Sequence, residues 1–198
     1  MTITAQMVKE LREKTGCGIM DCKHALKEAQ GDINKAVEAL KIKGLSKATK
    51  KATRAVSQGR VASYIHMKGR IGVLAEINCE TDFVANTAEF QELCKEICMQ
   101  VAAAHPKFVR TEDVPEAFSE QERRIFHQQV IESGKPAKIA DKIVIGKMNK
   151  LLKEVCLMEQ EYIRDTKMTV ADLVKSYIAK LGENIVISRF ARFELGKD

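Results

Sequence analysis

Tryptophan is absent from this 198-residue chain, and seven phenylalanines and three tyrosines are its only aromatic side chains. A protein that reads single-stranded nucleic acid by stacking needs an aromatic platform, and this composition supplies little of one. Long apolar runs are also missing: the longest stretch without a charged side chain, Ile97 to Pro106, is about half of a membrane span. No transmembrane helix is expected, therefore. Residues Met1 to Gln6 carry neither a basic region nor an apolar core, so no signal peptide is expected either. Six cysteines fall at Cys17, Cys22, Cys79, Cys94, Cys98 and Cys156 without a CxxC pair, which leaves zinc no recognisable ligand spacing. They are too few for a disulfide scaffold and read as buried cytosolic thiols. The four histidines, His24, His66, His105 and His127, are scattered, and no GxxxxGK[ST] phosphate loop occurs. No cofactor and no metal site is expected.

What is present is an ordinary globular composition, 45% hydrophobic and 30% charged, with a net charge of +6. The excess is local. Residues 1–58 hold twelve basic and six acidic side chains, whereas the remaining residues hold twenty-one of each. Lys41, Lys43, Lys47, Lys50, Lys51 and Arg54 follow one another without an intervening acid. Such a run can track a phosphate backbone. It also reads as a solvated linker helix spaced by Ala48, Ala52 and Ala55, with no aromatic side chain to stack on a base.

Periodicity divides the chain. Residues 1–44 read as three short helices, the first capped by Thr4, the second over about Met20 to Gln30 and closed by Gly31, the third capped by Asp32 and running to Gly44. Ile3 and Val8 are placed as a hydrophobic staple on the first helix. A basic linker helix is expected over 45–58. The period then changes to two, and Val61 to Met67 with Ile71 to Asn78 form a hairpin around Lys68-Gly69-Arg70. A helix striped by Phe90, Leu93, Ile97 and Val101 follows from about Thr87 and ends at His105-Pro106. From Pro115 to Val155, two mixed-charge helices flank Ser133-Gly134-Lys135-Pro136, predicting an antiparallel helical hairpin. In it, Ile125, Val130 and Ile131 are expected to face Ile139, Ile143, Ile145 and Leu151. Thr169-Val170-Ala171-Asp172 opens a last helix ending at Gly182, and a strand from Asn184 to Leu195 alternates through Ile185, Ile187, Ala191 and Phe193. The expected class is α+β, an antiparallel-sheet core with helices over 59–113 and 156–198 and a helical-hairpin insertion over 114–155.

Several segments, taken in order, resemble the translation elongation factor Ts family. They are Leu11-Arg12-Glu13-Lys14-Thr15-Gly16, Met20-Asp21-Cys22-Lys23 with Ala25-Leu26, Gly31-Asp32, Glu76 through Ala85, and Arg189-Phe190-Ala191-Arg192-Phe193-Glu194. The resemblance implies a nucleotide exchange factor for elongation factor Tu, working in the cytoplasm, with no bond chemistry of its own. It implies that the three-helix region is a ubiquitin-associated-like docking module, with Leu11, Ile19 and Met20 in the contact. It further implies that Thr81, Asp82, Phe83 and Val84 dislodge Mg²⁺ from the partner. Only one hairpin–TDFV–helix unit precedes the helical hairpin, which is similar to short members of the family. A single half leaves a sheet face or edge to cover, so a homodimer giving a two-plus-two complex is expected. Gln160-Glu161-Tyr162 departs from relatives that carry proline after the glutamine, leaving that turn open.

Other readings of the same residues stand beside this one. Phe83 also fits a core residue at the end of a strand, and Leu11 a core residue of the helical module. The 41–54 stretch fits a ribosome- or RNA-associated protein. Cys79, next to the TDFV element, fits the nucleophile of a thiol enzyme.

Overall fold

A computed structural model describes residues 3–134 and 136–197, and leaves the side chains of Leu45, Lys47, Ala137 and Lys138 undescribed. Lys135 of the expected turn and Met1-Thr2 of the N-terminus thus lie outside the described residues. The described residues form an α+β fold with a three-stranded and a two-stranded sheet. Two compact units divide it. Unit 1 comprises Met1–Val61, Glu76–Cys94 and Asp172–Ile187; unit 2 comprises Ala62–Ala75, Lys95–Ala171 and Ser188–Asp198.

Three helices open unit 1: α1 (Ala5–Thr15), α2 (Ile19–Glu28) and α3 (Ile33–Lys51). The hydroxyl of Thr4 accepts from the Met7 amide at 3.3 Å, and the Asp32 carboxylate accepts from the Lys35 amide at 3.1 Å, satisfying donors that have no partner inside their helices. Leu11, Cys22, Ala25, Leu26, Ala36 and Leu40 form the module's core, flanked by Ile3, Met7, Val8, Ile33 and Val37.

The third helix does not stop at Gly44, as its sequence suggests, but continues to Lys51. Gly44 is there for closeness. A Cβ on it would lie 3.0 Å from Cβ of Ala179, so glycine lets α3 approach α8 (Val170–Leu181) at this point. Ala48, one turn further along, is buried as well. The expected linker helix over 45–58 is in fact the last turns of α3 plus a short connection to the first strand.

The larger sheet has the order β1 (Gln58–His66), β2 (Ile71–Cys79), β5 (Ile185–Glu194). The turn Met67–Gly69 joins β1 to β2, with Met67 and Lys68 both left-handed. Near the far end of the hairpin, Gly59 adopts φ +146°, and a Cβ on it would lie 2.2 Å from the Ile77 carbonyl oxygen. No other residue fits that approach. Val73, Ala75, Ile77 and Cys79 alternate onto the buried face of β2, as the period of two predicts. In unit 1 the short helix α4 (Asp82–Ala85) and the start of α5 (Ala88–Ala104) add Val84, Ala85, Phe90 and Leu93 to the core.

Strand β5 corrects the expected alternation. Ile185 and Ile187 are buried, but Ser188 and Arg189 are both exposed, and beyond them Phe190, Arg192 and Glu194 are the half-buried set. Ala191 and Phe193 therefore face solvent. The anchor for the new phase is polar: the Arg192 guanidinium donates to the Ala102 carbonyl from Nε (3.3 Å) and Nη2 (3.2 Å) and pairs with Glu194.

In unit 2, α6 (Glu116–Glu132) and α7 (Ala137–Val155) form the helical hairpin. Its seam uses Val130, Ala140, Val144 and Met148, with Phe126, Ile143 and Leu151 alongside. Ile125, Ile131, Ile139 and Ile145 of the expected seam are exposed instead. Ala140, Val144 and Met148 recur every four residues on one face, and two of the three are small enough for close helix approach.

The turn left open by sequence is held by buried amides. Gln160 donates to the carbonyls of Ala104 (3.3 Å) and Glu154 (2.7 Å) and accepts from Gln100 (3.1 Å). Gln100 in turn accepts from the Ile163 amide at 2.9 Å. This fixes the entry to β3 (Glu161–Tyr162) and its antiparallel partner β4 (Asp165–Thr169), paired Glu161 to Thr169 and Tyr162 to Asp165. A satisfied buried network of this kind specifies one arrangement, because any slip leaves an amide unpaired in an apolar setting.

Candidate functional site

Both candidate elements, the helical module and the Thr81–Val84 segment, belong to unit 1. Strand β2 ends at Cys79, and Thr81 caps α4, its hydroxyl accepting from the Val84 amide at 3.3 Å. The single turn that results has two unlike sides. Val84 and Ala85 are buried, whereas Asp82 and Phe83 face out, Phe83 with 79% of its surface exposed. The core reading of Phe83 is overturned by that exposure. Asn86 donates to the Asp82 carbonyl at 2.9 Å, and Thr87 donates to the Val84 carbonyl at 2.7 Å while accepting from the Phe90 amide at 3.2 Å. The turn is thereby tied into the start of α5. The arrangement is a rigid mount carrying an apolar ring and a carboxylate into solvent.

Two segments distant in sequence support the mount. Glu183, in the connection between α8 and β5, accepts from the amides of Glu80 (3.1 Å) and Thr81 (3.0 Å) and from the Thr81 hydroxyl (2.6 Å). The Glu80 carboxylate in return accepts from the Asn184 amide at 2.6 Å, and Asn184 donates its side-chain amide to the carbonyls of Ala52 (3.3 Å) and Arg54 (2.8 Å) just past α3. Sequence reasoning missed Glu183 and Asn184. Their one signal is position, directly after the Gly182 that ends a helix.

On the helical module, Ile19 and Met20 are 56% and 61% exposed at the start of α2. Gly16 closes α1 in the left-handed region at φ +65°, and the loop that follows presents the two side chains. A cleft beside them is lined by Ile3, Val8 and Ile19 and by the stems of Lys9, Arg12 and Lys23. Leu11, expected in the same contact, is fully buried within the module's core and can act on this surface only from beneath.

The basic stretch is partly consumed within unit 1. Lys43 pairs with Asp21 at 3.2 Å, Arg54 pairs with Glu80 at 3.5 Å, and the Lys51 ammonium donates to the Gly182 carbonyl. Three of its six cations thus face acceptors of the same unit, while Lys41 and Lys50 remain exposed.

The thiol reading fails on the state of the sulfur. Cys79 is buried, and desolvation, followed by the nearby Glu183 carboxylate, pushes its pKa up from the ordinary 9.0. A nucleophile requires the opposite shift. Its thiol donates instead to the Thr81 carbonyl at 3.1 Å, so Cys79 is a further support of the mount. Burial likewise raises Cys98 and Cys156 to about 11. With folded values above those of the unfolded chain, the unfolded state loses its protons first as pH rises. The contribution is thus complete below about pH 9 and lost by about 11. Urea unfolding midpoints should stay level up to pH 9 and then decline, and Cys98→Ala should remove its share of the decline.

Comparisons with known proteins address the whole chain. The sequence model described as Elongation factor TS matches residues 3–197. The chain is 60% identical over 195 residues to an elongation factor Ts of Caldanaerobacter subterraneus subsp. tengcongensis, covering 98% of each protein. It is 56% identical over 198 residues to an elongation factor Ts of Nitratidesulfovibrio vulgaris, covering 100% of this chain and 99% of that one. To an elongation factor Ts of Syntrophus aciditrophicus it is 51% identical over 198 residues, at 100% and 98% coverage. The exposed turn on its hydrogen-bonded mount and the small helical module thus sit in a chain that matches these relatives from end to end, and the chain belongs to the elongation factor Ts family.

Proposed function

We propose that this nucleotide exchange factor of translation elongation docks on elongation factor Tu·GDP through Ile19 and Met20. The Asp82–Phe83 turn then loosens the partner's Mg²⁺ and nucleotide. The observation that carries this reading is the exposure of Phe83 on a turn whose neighbours Val84 and Ala85 are anchored in the core. An apolar ring held in water gains about 1.5–3 kcal/mol when a partner buries it, and that gain can separate side chains that support the metal site. Asp82 brings negative charge beside a metal site whose own charge balances the phosphates. No covalent bond is made or broken. Linkage then governs the cycle: by whatever factor this chain weakens GDP binding, GDP weakens the binding of this chain. The nucleotide-free complex is the stabilised intermediate, and incoming GTP releases the factor, in the cytoplasm where translation proceeds.

Labour is divided along the chain. Residues 1–44 dock, 45–58 join them to the core formed by 59–113 and 156–198, and 114–155 form the helical arm. Lys9, Arg12 and Lys23 around the apolar cleft favour a partner helix with an acidic rim. Within unit 1, the contact at Gly44 and Ala179 and the hydrogen bonds of Asn184 hold the docking residues and the turn in one body. Docking energy is then available at the turn, as catalysis of exchange requires.

A second copy of this chain covers the outer face of the sheet in unit 2. Ile65 of β1 lies opposite Gly72, beside Leu74 of β2, and all but Gly72 are exposed apolar side chains. Phe193, 68% exposed, points away from Arg192, whose guanidinium reaches α5. A face of this kind on an open sheet is a docking surface for its own copy, giving a dimer and a two-plus-two complex with the partner. Sedimentation at micromolar concentration should give a dimer, and Phe193→Glu should give a monomer; a monomeric wild type would sink the proposal.

In stopped-flow release of a fluorescent GDP analogue from elongation factor Tu, Phe83→Ala should keep the fold and lose at least about tenfold in limiting release rate, the equivalent of about 1.4 kcal/mol. Unfolding of this variant, or full activity in it, would count against the wedge. Met20→Ala should raise the half-saturating concentration and leave thermal stability unchanged. By contrast, Leu11→Ala should cost the module about 2–5 kcal/mol of stability, because it empties a filled core position.

A further inference from the structure

We infer that Glu183 is a positioning residue for nucleotide exchange, holding Thr81 so that Asp82 and Phe83 are presented in one orientation. The inference rests on the wedge role given to that turn.

Three donors converge on the Glu183 carboxylate. Oε2 accepts from the Glu80 and Thr81 amides, and Oε1 accepts from the Thr81 hydroxyl at 2.6 Å. Bonds to an ionised acceptor are roughly twice as strong as neutral ones. The hydroxyl bond has a second effect. With its proton committed to Glu183, Thr81 Oγ1 presents a lone pair to the Val84 amide, the bond that caps α4. Glu183 therefore sets the direction of the cap as well as the place of the residue bearing it.

The polar atoms of Thr81 are otherwise accounted for. Its carbonyl accepts from the Cys79 thiol at 3.1 Å and from the Ala85 amide at 3.2 Å. A residue pinned at its amide, hydroxyl and carbonyl has no freedom left, and Asp82 and Phe83 follow it directly. Both are exposed, so their direction comes from the backbone, which the pinning at Thr81 fixes on one side and the burial of Val84 and Ala85 on the other. The clasp is reciprocal, since Glu80 accepts from the Asn184 amide at 2.6 Å. Asn184 carries it on to the carbonyls of Ala52 and Arg54, past the end of the helix that belongs to the docking module. Docking and wedging thus meet in the Glu183-Asn184 pair.

A positioning role and a merely structural one separate in the kinetics of full-length protein. The probe is release of a fluorescent GDP analogue from elongation factor Tu at increasing factor concentration, alongside thermal unfolding of each variant. Glu183→Ala and Thr81→Val should each lower the limiting release rate about tenfold, a loss appropriate to a misplaced group, while the half-saturating concentration moves less than about twofold. Glu183→Gln, which keeps one acceptor oxygen, should fall between wild type and Glu183→Ala. The double variant Glu183→Ala/Thr81→Val should lose less than the product of the two single losses, because both singles remove the bond from the Thr81 hydroxyl to Glu183.

A folded Glu183→Ala with an unchanged limiting rate would overturn the inference. So would additive losses in the double variant, or a rise in half-saturating concentration alone. Should Glu183→Ala not fold, Glu183→Gln and Thr81→Val carry the same comparison. Phe83→Ala in parallel separates the two levels of the argument. If it retains full release, the wedge reading fails and takes this inference with it. If it loses release while Glu183→Ala keeps it, the clasp alone is refuted.

Discussion

The hydrogen bonds between residues 80–81 and 183–184 hold the Thr81–Val84 turn of unit 1, whose exposed side chain cannot fix its own direction. Phe83 is mostly in water, and an apolar ring there gains nothing from one direction over another. Its direction must come from the backbone. Val84 and Ala85 supply part of that by burial, and the Thr81 cap supplies the rest. The cap depends on a hydroxyl whose proton is taken by Glu183. A polar clasp at the surface would be weak if it were a lone ion pair. Here it consists of several charge-assisted bonds, from three backbone amides and the Thr81 hydroxyl, with the donors held by the turns on both sides.

The same unit shows how a small helical module can be part of a larger compact unit. Three helices with six core residues have little stability to spare. Extending α3 beyond the module and packing it closely on α8 at Gly44 and Ala179 gives the module a second interface. Glycine within a helix costs about 1 kcal/mol relative to alanine, so its place there reflects the close contact. What this gains is a fixed relation between Ile19, Met20 and the 80–85 turn. An exchange factor uses binding energy at one place to do work at another, and a flexible joint between them would dissipate it.

Much of this was legible in order and type. Period-two patterning located the hairpin and the buried face of β2, and capping residues located α1, α3 and the start of α8. The failures have physical causes. Gly44 looks like a helix stop because local propensity does not know of Ala179. In the hairpin of α6 and α7, the large isoleucines suggested a seam, whereas close packing favoured the stripe of Ala140, Val144 and Met148. In β5, alternation was extrapolated through Ser188-Arg189, where the phase changes, and Arg192 took an inward position that hydropathy would assign to Phe193. Leu11, expected in one contact with Ile19 and Met20, is turned into the core by the helix geometry, while those two are exposed.

Apart from α4 and the β3–β4 pair, which it did not reveal, the sequence by itself determined the elements, their class and, through motifs spread over the whole chain, the family. Those follow from local periodicity, capping chemistry and residue identity, which are properties of neighbours along the chain. Only the tertiary structure decided which side of α4 faces out, why Phe83 is not a core residue, and that Glu183 and Asn184 belong to the site about a hundred positions earlier. Those depend on bonds between distant segments. A carboxylate after a helix-ending glycine has no meaning as a ligand for Thr81 until the fold brings the two together.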